Sequence, residues 1–145
     1  MPTVRAAIDL PAPVPLASRL WTDVSRWYTF VDGFSHVEQV DESWPEPGSK
    51  VVWQSGPAGR GRVTERIVER DEEHVVTEVF DDQMHGRQAV FFQPGRALME
   101  LDYDLAKPGP FSKITDVLFI RRALGMALER TLRRFSTEAS DEATL

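Results

Sequence analysis

Cysteine is absent from this chain, and histidine occurs only three times, at His36, His74 and His85. The first absence removes disulfides, thiolate nucleophiles and sulfur-ligated zinc or iron–sulfur sites. The second leaves no pair at metal-ligand spacing, because the histidines fall on separate segments. We therefore expect neither a metal nor another cofactor. Gly-x-Ser-x-Gly, phosphate-loop and dinucleotide patterns are missing as well, so nucleophilic hydrolysis and nucleotide chemistry find no support. The chain lacks any run of about 18 apolar residues and any signal-peptide pattern, and the expectation is a cytoplasmic protein without membrane insertion. Basic charge is also scarce. Seventeen Lys and Arg against 23 Asp and Glu give a formal net charge of −6, which argues against nucleic acid and anionic membranes as partners.

What is present suits a soluble globular domain. The 145 residues, 41% hydrophobic and 28% charged, show no break in composition and fit one domain over residues 1–137, followed by a disordered acidic tail over 138–145. The dominant feature is an apolar-periodic run from Ser112 to Phe135. On a helical wheel Ile114, Val117, Leu124, Leu128, Leu132 and Phe135 share one face, while Arg122, Glu129, Arg130, Arg133 and Arg134 take the other. Ser112 is a candidate N-cap after the breakers Lys107-Pro108-Gly109-Pro110. A stripe this long needs an extended partner surface, and the preceding chain reads mostly as short strands.

Val4, Ala6, Ile8 and Leu10 alternate with Arg5 and Asp9, the pattern of a half-buried strand. Pro11, Pro13 and Pro15 end it, and Pro15 suits a first helical turn. A helix through Leu16, Leu20 and Trp21 is expected next, then a second short one capped by Asp23 and closed at Asp32-Gly33. Candidate strands follow at Ser35–Val40, Lys50–Ser55, Arg62–Arg70, His74–Phe80, Gly86–Gln93 and Ala97–Ala106, separated by short Gly, Pro and Asp breaks that imply antiparallel neighbours. The inner faces of the middle strands stay open, since Thr64 to Val68 and Val75 to Val79 put apolar groups on both sides.

This order resembles the helix-grip fold of the START-like, polyketide cyclase/dehydrase and lipid-transfer superfamily. The matching stretches are Leu20-Trp21-Thr22-Asp23-Val24-Ser25-Arg26-Trp27, Pro47-Gly48-Ser49-Lys50-Val51-Val52-Trp53, and Gly109-Pro110-Phe111 before the last helix. A Gly-Thr pair often seen before the family's last strand is replaced by Pro94-Gly95-Arg96. The resemblance implies an α+β architecture, a curved seven-stranded antiparallel sheet wrapped around the C-terminal helix with two short helices after strand 1. It also implies a cavity between sheet and helix for a small hydrophobic, lipid- or polyketide-like molecule. Carriage of such a molecule leads the functional expectations. A cyclase or dehydratase-type enzyme is one alternative, and a protein-interaction module with a filled core is another.

The residues expected to bind the ligand are Trp27, Trp53, Phe80, Arg87, Phe91, Met99, Leu101, Tyr103, Arg121, Leu124 and Leu128. Arg121 stands in the middle of the apolar stripe, where a guanidinium must be paired, reach water, or meet a ligand carboxylate, phosphate or carbonyl. In the enzyme reading Arg121, Tyr103 or His85 would polarise a carbonyl or move a proton. Gly125 beside the inner face suggests that space is wanted there, for a ligand or for close backbone packing. Phe119 and Met126, seven residues apart on the charged back of the helix, point to a homodimer or to packing by the helix pair or the tail.

Overall fold

The structure, a computed structural model, describes residues 2–56, 59–105 and 114–145, with side chains from 118 onward in the last segment. The candidate cap Ser112, the breakers before it, and the side chains of Ile114 and Val117 lie outside the described residues.

Strand β1 (Thr3–Leu10) buries Val4 and Leu10 and turns Arg5 and Asp9 to water. Helix α1 (Val14–Thr22) holds Pro15 in its first turn, where the missing N–H has no helical partner to lose. A 3-10 turn, Val24–Thr29, follows at once, and the Asp23 side chain caps it by accepting the Ser25 N–H at 3.2 Å. Then come β2 (Phe34–Val40), β3 (Lys50–Ser55), β4 (Arg62–Arg70), β5 (His74–Phe80), β6 (Met84–Gln93) and β7 (Gly95–Leu105). All seven strands form one antiparallel sheet in the order β1-β7-β6-β5-β4-β3-β2. The meander from β2 to β7 needs only short turns, and β1 adds to its far edge beside β7. Gly95 sits at φ +80° in the last hairpin, a backbone that residues with a Cβ avoid.

Pairing settles the parity that alternation leaves open. On β4 Val63, Glu65 and Ile67 are buried, and on β5 Val75, Thr77 and Val79 face the same way. A bulge between Ile67 and Glu69 takes up Val68 as an extra residue, which is why a simple period-two reading fails there.

Helix α2 (Ile114–Ala143) lies in the concave side of this sheet. Leu128, Thr131, Leu132, Phe135 and Ala139 are buried along one face, and the Ser136 hydroxyl donates to the Asp9 carbonyl of β1 at 2.6 Å. Phe135 is the centre of an aromatic cluster, with ring centroids 5.0 Å from Trp21, 5.1 Å from Phe30 and 6.0 Å from Phe92. The expected acidic tail is instead the helix's last turns. Ala139 is fully buried, and Glu138 and Glu142 receive Arg26 at 2.9 and 3.2 Å, so the segment is tied to the 3-10 turn. Its small polar composition conceals one buried face, since Ala139 continues the stripe of Leu132 and Phe135. Among the described residues no helix is long and apolar enough to cross a membrane.

Candidate functional site

Toward its N-terminal half α2 does not fill the sheet's concavity, and a cavity of about 400 Å³ remains. Its apolar wall comes from three places. Trp27 and Phe30 belong to the 3-10 turn and its end, Trp53 and Met99 and Leu101 to β3 and β7, and Ile120, Leu124 and Leu128 to successive turns of α2. The indoles are held by hydrogen bonds: Trp27 Nε1 donates to the Trp21 carbonyl at 2.8 Å, and Trp53 Nε1 to the Glu65 carboxyl at 2.8 Å. These bonds satisfy the one polar atom of each ring and leave its face apolar.

The polar part of the wall is compact. Glu65 is 7% exposed, and burial pushes its carboxyl pKa up, against opposing pulls from the Trp53 N–H, the Arg60 guanidinium and the Thr77 hydroxyl. Arg60 stands over Trp53 with its guanidinium carbon 6.0 Å from the ring centroid, and its Nε is bound to Asp81 at 2.7 Å. Its Nη2 is buried without a hydrogen-bond partner among the described residues. Arg60 also borders a second cavity of about 330 Å³, lined further by Asp81, Met84, Leu105 and Leu124. Gln88 of β6 lines the larger cavity, and next to it on β5 the Thr77 hydroxyl is buried with no hydrogen bond among the described residues. At the other rim Asp32 is clasped by Arg130 at 2.9 and 3.1 Å and by Arg134 at 3.3 Å. The hydrogen bond from Arg130 holds its carboxyl below the usual carboxylate range.

The structure brings Trp27, Trp53, Met99, Leu101, Leu124 and Leu128 together around this space. It places the other expected site residues elsewhere. Phe80, Arg87 and Phe91 belong to the convex face of the sheet: Phe80 is 42% exposed, and Phe91 stacks on His74 at 6.1 Å. Each lies one residue out of phase with the inward set Val79, Gly86, Gln88, Val90 and Phe92, and a single step along a strand changes the face. Tyr103 is buried on the inner side of β7 but is not part of the cavity wall; burial raises its pKa, and its hydroxyl has no partner among the described residues. Arg121 is exposed, although its wheel position is central. That azimuth governs burial only where sheet lies beneath the helix, and near Arg121 the neighbours Leu118 and Phe119 are also open to solvent, at 58% and 73%. His85 sits on the outer face, 3.6 Å from Asp104, away from the cavity.

Arg60, Glu65, Gln88 and Phe30 join the wall without having been singled out from the sequence. Glu65 did leave a signal, because it shares the parity of Val63 and Ile67 and so had to point where they point. Arg60 left none, since its position depends on a loop. Among the described residues no three His, Asp or Glu are grouped as metal ligands.

The comparisons with known proteins return the same fold. A protein from Thermus thermophilus superposes with a TM-score of 0.76 at 21% identity, covering 98% of this chain and 99% of that one. The di-domain ARO/CYC StfQ of the steffimycin biosynthetic pathway gives 0.77 at 14% identity, over 99% of this chain and 52% of its own. A START superfamily protein from Mycobacterium smegmatis gives 0.67 at 11% identity, over 96% and 97%. At these identities the likeness concerns the helix-grip fold alone. No curated protein matches the sequence. The family model described as polyketide cyclase/dehydrase and lipid transport matches residues 1–140, nearly the whole length over which sheet, 3-10 turn and helix enclose the cavity, and the chain belongs to that family.

Proposed function

We propose that this protein binds a small, largely apolar molecule between the sheet and α2, with Trp27, Trp53, Met99, Leu101, Leu124 and Leu128 against its apolar body. The observation that carries the reading is the cavity of about 400 Å³, which falls in the size range of small-molecule sites. A core packed to ordinary density would leave no such space, so the filled-core interaction module is the weakest of the three readings. The protein acts as a binder or carrier. Ala127 lines the cavity, and Ala127→Phe would occupy part of it from the helix side. The variant is expected to stay folded by circular dichroism while uptake of a neutral fluorescent apolar probe falls by about tenfold or more. Uptake unchanged from the parent would remove the cavity as the site. Native mass spectrometry of the purified protein would then weigh any co-purifying molecule.

One observation favours a second reading, an enzyme of the cyclase or dehydratase type. A carboxyl group inside an apolar wall, with its pKa raised, has the character of a proton donor. StfQ, a structural neighbour, is described as an ARO/CYC from a biosynthetic pathway.

A further inference from the structure

The cavity wall contains a buried carboxyl whose hydrogen-bonding capacity the fold uses only in part. Glu65 projects inward from β4 at 7% exposure, where a charge loses its hydration and persists only if matched. Its one hydrogen bond among the described residues comes from the Trp53 indole, Nε1 to Oε2 at 2.8 Å. An indole N–H only donates, so Oε2 must accept.

Each guanidinium near the carboxyl is paired with another carboxylate, although Arg60 keeps its buried Nη2 without a partner among the described residues. Arg60, from the loop before β4, is bound to Asp81 of the β5–β6 turn, and Arg130 of α2 at the far rim is bound to Asp32. Burial pushes the Glu65 pKa upward despite the pull of Arg60. In the neutral acid, with Oε2 accepting as the carbonyl oxygen, the proton is on Oε1. The group beside it that could accept that O–H is the Thr77 hydroxyl, which pulls the carboxyl pKa down against burial, but the two do not meet in hydrogen-bond geometry. Gln88 continues the polar seam across β6.

We propose that Glu65 is a ligand-binding residue which, as the neutral acid, donates its Oε1 proton in a hydrogen bond to a carbonyl oxygen of the bound molecule. The cavity thereby selects neutral carbonyl compounds over their hydrocarbon analogues. This assignment rests on the cavity being the ligand site.

The test uses two probes of nearly equal shape, 2-acetylnaphthalene and 2-isopropenylnaphthalene, in which a CH2 group replaces the oxygen. Binding to the full chain is read by quenching of the cavity tryptophans, from about pH 5 to about pH 9, for the parent and Glu65→Gln. The parent should bind the ketone about tenfold more tightly at the acid end, and the preference should shrink as pH rises and the acid loses its proton. Glu65→Gln accepts from Trp53 through its amide oxygen and donates through its N–H at every pH, so its preference should persist without pH dependence. Equal affinity of the parent for both probes at every pH overturns the assignment and leaves the cavity reading intact. A pH-dependent preference that survives in Glu65→Gln does the same. Failure of both probes to bind overturns the cavity reading, and the assignment with it.

Discussion

At Gly125 the choice of a single residue costs helix stability with no visible return in packing. A Cβ built there meets no neighbouring atom within 4 Å, so the glycine is not required for close approach of the sheet, and it does not line the cavity. Gly125→Ala should raise the unfolding free energy by about 0.5–1 kcal/mol in a denaturant melt, the helix-propensity difference alone. Glu65 is the converse case. Its folded pKa is raised, so the neutral acid is the form the fold accommodates, and its contribution is fully present below the unfolded value near 4.5. The contribution is lost as pH rises toward the folded value, because the unfolded chain releases the proton first. Relative to the parent, Glu65→Gln should therefore lose less stability between about pH 4.5 and neutral in urea titrations. Parallel curves for the two proteins would mean that Glu65 is already ionised in the cavity.

At the scale of elements, α2 is secured at two places by ions. Near its middle Arg130 and Arg134 hold Asp32, and the Thr131 hydroxyl accepts the Asp32 N–H at 3.0 Å, so the loop after the 3-10 turn is pinned beside the cavity. The Asp32 pKa is lowered, chiefly by the Arg130 hydrogen bond, so this contribution exists above the unfolded carboxyl value and is lost as pH falls through the folded one. Asp32→Asn should cost about 1 kcal/mol at neutral pH and flatten the acid limb of the stability curve. At the helix end, truncation after Thr137 removes the fully buried Ala139 together with both partners of Arg26. A fall of several degrees in Tm is expected by calorimetry, corresponding to about 1–3 kcal/mol. An unchanged Tm would show that the last turns are not part of the cooperative unit.

For the whole molecule, what matters is that the helix is longer than the surface it covers. Its second half is buried against β1 and the aromatic cluster, whereas its first half roofs the cavity and carries Leu118 and Phe119 outward. Phe119 and Met126 remain 73% and 46% exposed, so among the described residues neither the helix pair nor the tail covers them. Two readings of this patch remain, contact with a second copy of the chain and apolar residues scattered on an open surface. Sedimentation of Phe119→Ser/Met126→Ser separates them: a lower average mass than the parent's supports a dimer, and an identical mass removes it.

Local chemistry makes the elements and their order readable in the sequence. Short Gly, Pro and Asp breaks interrupt hydrogen-bonded strands wherever they occur, Pro15 and Asp23 start helical turns by their own geometry, and a period near 3.6 marks the last helix. Met99, Leu101, Leu124 and Leu128 share one space for the same reason, because they lie on faces that periodicity identifies as apolar, and the aromatic rings of Trp27 and Trp53 join them there. The tertiary structure decided the rest. Phe80, Arg87 and Phe91 are placed outward by a strand register that depends on partners far away in the chain, and a bulge at Val68 shifts β4 by an amount no local pattern encodes. Arg121 has the azimuth of a core residue and the exposure of a surface one, because burial needs an atom on the other side and the wheel says nothing of where the sheet ends. The pairing of Glu65 with Trp53 and of Arg60 with Asp81 likewise joins separate segments, and only folding brings them within hydrogen-bond range.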